Sequence, residues 1–211
     1  MVTDAADRFR ADFDRIAAAE PPDHVEAVAR RVAATVGMRQ RVLEIGCGTG
    51  ALARSMARRG ALVTAIDLAP RMIDLARSRT PGHLAIEYGV GDLRRFSPRG
   101  FDVAIAVNTL HHLPLADALA RMAASVTPGG SVLIVDLFEA RGLVELPYNA
   151  ASWLLRTREP VSGAVASAWA AHRDELLPLS EIRRVARAAL PGVVVRRHLG
   201  WRYSARWTKP R

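Results

Sequence analysis

Three glycines stand within five residues at Gly46-Cys47-Gly48-Thr49-Gly50, directly after the apolar run Val42-Leu43-Glu44-Ile45. Glycine at that density costs conformational entropy unless the backbone needs positive φ or something must approach it with no Cβ in the way. A bound ligand is the simplest explanation. The helix expected over 51 to 59 would aim its unpaired amides and the positive end of its dipole at that ligand, so anionic or electron-rich groups belong there. Glu44, beneath the loop, is placed to bond loop amides or to attract a cationic group. The next apolar run, Leu62-Val63-Thr64-Ala65-Ile66, ends in Asp67, whose two carboxylate oxygens match two adjacent ribose hydroxyls.

Gly46-x-Gly48-x-x-Ala51 also satisfies the loose dinucleotide fingerprint, so the loop and Asp67 point to an adenosine-type cofactor without choosing which. Asn108 closes the fourth apolar run, at the edge where ligands bind in open parallel sheets. His111 and His112 follow, and a histidine there can act as general base on a hydroxyl or amine. Lys209 is the sole lysine, which removes P-loop and Schiff-base chemistry and the Tyr-x-x-x-Lys pair of short-chain dehydrogenases.

The elements that position these residues alternate. Runs at 41–45, 62–66, 84–88, 102–107 and 132–137 read as strands, and 51–59, 70–78 and 115–124 as helices. Near-continuous apolar strands separated by helices mean a parallel sheet covered on both faces. Ahead of them, 1–20 reads as a helix with Phe9, Phe13 and Ile16 on one stripe. Pro21-Pro22 ends it, and a second helix runs from an Asp23 cap to Gly37. After 140 the rhythm breaks. Two helices around Pro160 carry Tyr148, Trp153, Arg156 and Trp169, Ser180 is placed to cap a helix over 181–190, and strands 193–198 and 203–207 flank a turn at Gly200.

Glu44-x-Gly46-x-Gly48-x-Gly50, Ile66-Asp67-Leu68-Ala69-Pro70-x-Met72-Ile73, Gly91-Asp92-Leu93, Phe101-Asp102-Val103, Leu110-His111-His112-Leu113 and Pro128-Gly129-Gly130-Ser131-Val132-Leu133 occur in that order. Together they resemble class I S-adenosylmethionine-dependent methyltransferases of the small-molecule, UbiE-like group. The resemblance implies a Rossmann-like, doubly wound α/β fold with a mostly parallel seven-stranded sheet and an antiparallel C-terminal β-hairpin at its edge. It implies S-adenosyl-L-methionine as cofactor and S-adenosyl-L-homocysteine as product. The cofactor would lie against Glu44, Gly46, Cys47, Gly48, Gly50, Asp67, Leu68, Met72, Asp92, Leu93 and Asn108, with Asp92 accepting from the adenine amino group. Leading helices close over the cofactor in that family, which brings Phe13 and His24 to its edge. Amino-methylating DNA enzymes carry Asn/Asp-Pro-Pro-aromatic where this chain has Asn108-Thr109-Leu110-His111, which argues against base methylation.

The expected organisation is one domain over 1–211: N-terminal helices to 37, a cofactor core over 38–140, a helical insert over 141–177 roofing the acceptor, and a terminal helix and hairpin over 178–211. Tyr148, Trp153, Arg156 and Trp169 would line the acceptor site. Length and composition are those of a globular domain. With Cys47 alone there is neither a disulfide nor a thiolate metal site, and no metal is expected. Net charge is +9, but the arginines are scattered without a basic run, which favours a small-molecule partner over nucleic acid. Arginine in place of lysine, with abundant alanine, fits a GC-rich bacterial genome. The N-terminal residues lack a signal pattern and no run suits a membrane span, so a cytoplasmic location is expected. An RNA or protein methyltransferase, a nicotinamide-dependent oxidoreductase and a non-catalytic cofactor-binding regulator remain as alternatives.

Overall fold

The computed structural model describes residues 5–18, 27–95, 98–140, 145–156 and 176–211, with the backbone alone at 5–9 and 155–156. In chain order the elements are α1 (Ala5–Ala18), α2 (Ala27–Ala33), β1 (Arg41–Ile45), α3 (Ala51–Ala57), β2 (Leu62–Asp67), α4 (Pro70–Ser78), β3 (Ile86–Val90) and β4 (Phe101–Val107). A 3-10 turn (Leu110–His112), α5 (Leu115–Ser125), β5 (Val126–Leu137), α6 (Leu146–Arg156), α7 (Leu179–Ala189), β6 (Val194–His198) and β7 (Arg202–Thr208) follow. Asp23, His24 and Trp169 lie outside the described residues.

The strands form one sheet in the order β3-β2-β1-β4-β5-β7-β6. β1 to β5 are parallel, and β7 runs antiparallel between β5 and β6. This is the mostly parallel, doubly wound α/β sheet with a C-terminal hairpin at its edge. Because side chains alternate across a strand, Val42 joins the layer of Ala53, Met56 and Ile73 from α3 and α4. Its neighbour Leu43 joins the layer of Leu119, Met122 and Ile182 from α5 and α7. Burial on both faces explains why these strands read as unbroken apolar runs. Each fully buried Leu, Ile or Met contributes roughly 1.5–3 kcal/mol.

Strand order reverses between β1 and β4, the place where ligands bind in open α/β sheets, and the carboxyl ends of β1, β2 and β4 line up in register there. α1 packs on α4 through Phe13, Ile16, Ala17, Ala69 and Met72. Asp14 adds a cap at a distance: its carboxylate accepts the Arg71 amide at 3.0 Å, while Pro70 occupies the first turn, where its missing N–H costs nothing.

Several boundaries differ from those read in the sequence, β3 by two residues at each end, and two of the differences have an evident cause. β5 begins at Val126, because the Gly129 amide donates to Lys209 and the Lys209 amide donates back to Gly130, so the terminal tail extends the ladder past Pro128. Helix α7 starts at Leu179, with Ser180 in its first turn and no side-chain cap. Glu139 donates its amide to Leu177 and bridges Pro178, which holds the backbone extended up to the residue where the helix begins.

Candidate active site

Gly46, Gly48 and Gly50 all have positive φ. A Cβ at Gly46 would stand 2.2 Å from Thr109 Oγ1, so the loop touches the residue that follows β4 and tolerates no side chain there. At Gly48 a Cβ would meet nothing within 4 Å among the described residues, so the backbone is open on that side, as a ligand cradle requires. The amides of Gly46 and Cys47 donate to the Ile66 carbonyl at 2.8 and 3.0 Å, tying the loop to the end of β2.

Asp67 completes that tie. Its Oδ2 accepts the Gly48 amide at 2.8 Å and its Oδ1 the Ala69 amide at 2.9 Å. Burial pushes this carboxyl above the ordinary range, opposed by the amides of Ala69, Gly48 and Leu68. Each oxygen retains a second lone pair for a ribose hydroxyl. Gly91 donates to the Asp67 carbonyl at 2.9 Å, which brings Asp92 to the same rim. There Asp92 is gripped by Arg94, whose Nη2 lies 2.7 Å from Oδ2 and whose amide reaches Oδ1 at 2.9 Å. Burial raises the Asp92 carboxyl, but Arg94 outweighs it and holds the group below the ordinary range. An adenine amino group at Asp92 would have to share its oxygens with that guanidinium. Leu93 and Met72 are buried, Leu68 partly so.

Glu44 is 3% exposed and its Oε2 has no hydrogen-bond partner among the described residues. Burial and the neighbouring Asp67 charge push its carboxyl up to about 8, against the lowering influence of Arg54. Arg54, 2% exposed, donates to the Thr49 carbonyl at 2.8 Å, and Thr80 links on to the Tyr88 hydroxyl at 3.0 Å. The Cys47 thiol, in the same layer, is pushed well above its ordinary range, chiefly by burial, so it is an inert packing group and Cys47 can serve a ligand through its backbone. An orphaned carboxyl beneath an open glycine loop fits a ligand with a cationic group.

A raised carboxyl makes the folded state hold a proton that the unfolded chain releases above about pH 4.5. Stability without ligand therefore falls as pH rises from there to about 8, by at most about 1.4 kcal/mol per pH unit. Thermal melts over that range should show the decline, and Glu44→Gln should flatten it; a wild-type melting temperature that rises steadily from pH 5 to 8 would contradict it.

At the end of β4, Asn108 takes a positive φ and its amide donates to the Val135 carbonyl at 2.9 Å. Its Oδ1 accepts from Arg202 Nη1 at 3.2 Å. His111 lies on the 3-10 turn beside Asp136 of β5, its Nδ1 2.5 Å from Oδ1. The His112 ring lies 3.9 Å from that of His111, tilted by 48°, and meets Phe13 of α1 edge-on at 5.6 Å, so α1 reaches the β4 end as well as α4. The structure thus gathers Glu44, the glycine loop, Asp67, Asp92, Asn108 and the histidine pair around one sheet edge.

The acceptor candidates do not converge in the same way. Tyr148 donates to the His198 carbonyl at 2.7 Å and accepts the Trp201 amide at 2.9 Å, beneath the Arg197 guanidinium 3.5 Å from its ring centre. Its hydroxyl is occupied in fastening α6 to the β6–β7 turn, which leaves the ring as the part of Tyr148 that an acceptor could meet. Ser152 and Asn149 add bonds to Gly200 and Trp201. Trp153 is 65% exposed. The side chain of Arg156, like Trp169, lies outside the described residues. Tyr148→Phe leaves the Trp201 amide without its partner and should lower stability by about 1–3 kcal/mol in denaturant melts. An unchanged midpoint would show that the fastening is dispensable.

Arg94, Thr109, Asp136 and Arg202 escaped the sequence reading. Asp136 alone had a signal: a carboxylate inside the unbroken apolar run 132–137 must be buried and needs a partner.

Residues 42–130 match the family model described as a methyltransferase domain. Over 140 residues the chain is 36% identical to a ubiquinone biosynthesis O-methyltransferase of Xanthomonas campestris, covering 64% of this chain and 57% of that protein. It spans about half the length of such curated relatives. With an uncharacterized methyltransferase of Mycobacterium bovis it shares 32% identity over 178 residues, 81% of this chain and 88% of that protein. Among solved structures it resembles the N-methyltransferase NodS of Bradyrhizobium japonicum in complex with S-adenosyl-L-homocysteine, with a TM-score of 0.67, 20% identity, and coverage of 99% and 100%. These findings displace the oxidoreductase alternative. A chain that follows a methyltransferase through most of that relative's length, on a sheet of the same fold, belongs to the class I S-adenosylmethionine-dependent methyltransferases.

Proposed function

We propose that this methyltransferase acts on a small molecule, with the cofactor held in the Gly46–Gly50 cradle. The observation that carries the reading is the open backbone at Gly48, locked to Asp67 above the orphaned Glu44 carboxyl. Asp67 would hold the ribose diol, Asp92 and Leu93 the adenine, and the loop backbone with Asn108 the methionyl portion. Leu68 and Met72 would supply apolar contact, and Glu44 would face the ammonium. Bound S-adenosylmethionine supplies a methyl group already activated by its cationic sulfur, so the protein's part is to orient the acceptor, exclude water and manage one proton. Phe13 and His112 roof the β4 end, which suits water exclusion.

The relatives' names divide over the atom methylated, oxygen for the Xanthomonas proteins and nitrogen for NodS. The acceptor class is tested with methyl-tritiated S-adenosylmethionine offered with a low-molecular-mass metabolite extract, bulk tRNA and a protein extract in parallel. Label is expected in a small organic product. Label confined to tRNA or protein would overturn the small-molecule reading in favour of the corresponding macromolecule.

A further inference from the structure

Asp136 is 1% exposed at the end of β5. Its Oδ1 lies 2.5 Å from His111 Nδ1 and also accepts the Leu137 amide at 2.8 Å, and its Oδ2 accepts the His111 amide at 3.1 Å. One carboxylate therefore fixes both the backbone and the ring of His111. Burial raises the Asp136 carboxyl, but the His111 ring and these hydrogen bonds outweigh it and hold it below the ordinary range. An ionised carboxylate only accepts, so the nitrogen facing it, Nδ1, carries a proton, and in the neutral imidazole Nε2 is then the nitrogen with the lone pair. The ring has little freedom to turn: its side chain is 12% exposed and lies against the tilted ring of His112, which Phe13 meets from α1. Tyr203, opposite Asp136 on β7, has its hydroxyl pushed well up by burial and by Asp136 and brings no second charge.

We propose that Asp136 is a positioning residue that presents His111 Nε2 as a general base, and that the acceptor is accordingly a weakly acidic hydroxyl of the phenol or enol class. This rests on the small-molecule reading above. The chemistry separates acceptor classes. A neutral amine attacks with its own lone pair and sheds its proton afterwards, and a carboxylate carries no proton to remove. A phenol is a poor nucleophile until its O–H proton leaves, so a base aligned beforehand is useful to it. In the step, the hydroxyl proton passes to Nε2 while the acceptor oxygen bonds to the methyl carbon and the carbon–sulfur pair returns to sulfur. The products are a methyl ether, S-adenosylhomocysteine and an imidazolium that yields its proton to water.

The test uses Asp136→Asn, which keeps an oxygen for the His111 amide but turns a donor toward Nδ1, giving up the bond from the Leu137 amide. Long-range proton–nitrogen correlation spectra of the histidine rings should show His111 protonated at Nδ1 in the wild type and at Nε2 in the variant. With 3,4-dihydroxybenzoate as a phenolic probe and phenethylamine as an amine probe, methyl transfer should go to the phenolic oxygen. It should fall about 100-fold or more in Asp136→Asn and in His111→Ala, with calorimetric affinity for S-adenosylmethionine unchanged. Three results would each overturn the proposal while cofactor binding persists: methylation of the amine alone, of neither probe, or an Nδ1 proton that survives the substitution. Loss of cofactor binding in the wild type would instead strike the reading on which it rests.

Discussion

Replacing Asp67 with alanine should weaken S-adenosylmethionine and S-adenosylhomocysteine binding by about 100-fold or more. Two charge-assisted hydrogen bonds to a ribose diol contribute about 1.5–3 kcal/mol each, and every 1.4 kcal/mol is tenfold in affinity. The loss has a second source. Gly48 and Ala69 now give their amides to this carboxylate at 2.8 and 2.9 Å, and both donors would be released, loosening the loop that forms the cradle. Asp67→Asn separates the two: its amide oxygen preserves one loop bond, so stability should recover in part while affinity stays well below wild type. Calorimetry with melts on the same samples measures both. An Asp67→Ala protein that binds the cofactor as the wild type does would remove Asp67 from the site.

Gly46→Ala should produce the largest loss of stability, about 3 kcal/mol or more. The new Cβ would stand 2.2 Å from Thr109 Oγ1 and 2.5 Å from its methyl carbon, at a φ of +70° that side chains disfavour by about 1–2 kcal/mol. Thr109 could yield only by giving up its bonds to the Val107 and Ile45 carbonyls, at 2.9 and 3.3 Å. A melting temperature lower by roughly 2–4 °C per kcal/mol is expected. Gly48→Val provides the contrast. Its side chain would enter open space rather than protein, so beyond the backbone strain its effect should fall on cofactor affinity. Equal melting temperatures for Gly46→Ala and wild type would show that the loop does not press on Thr109 as described.

The sequence revealed what local chemistry dictates. Glycines that need positive φ, an acid closing β2 and apolar runs buried on both faces leave marks within a few residues, and the parallel core followed from them. Partners brought from elsewhere in the chain left none. Asp14 caps α4 from a helix far upstream, and Arg202 reaches Asn108 across the hairpin. Arg94 grips Asp92 through a turn whose geometry spacing alone does not specify. Tyr148 marks a different limit. Aromatic spacing on α6 could not say that the hydroxyl would be spent on the β6–β7 turn, because helical periodicity marks a face without naming what it meets. Asp136 was within reach, since a carboxylate in a buried strand demands a partner and His111 stood at the neighbouring strand end.

The most direct test of the cofactor cradle is isothermal titration of the purified protein with S-adenosylmethionine, S-adenosylhomocysteine and NADH. Saturable one-to-one binding of the first two, with no heat from NADH, is the expected result. Tight binding of NADH with neither adenosyl compound bound would contradict it.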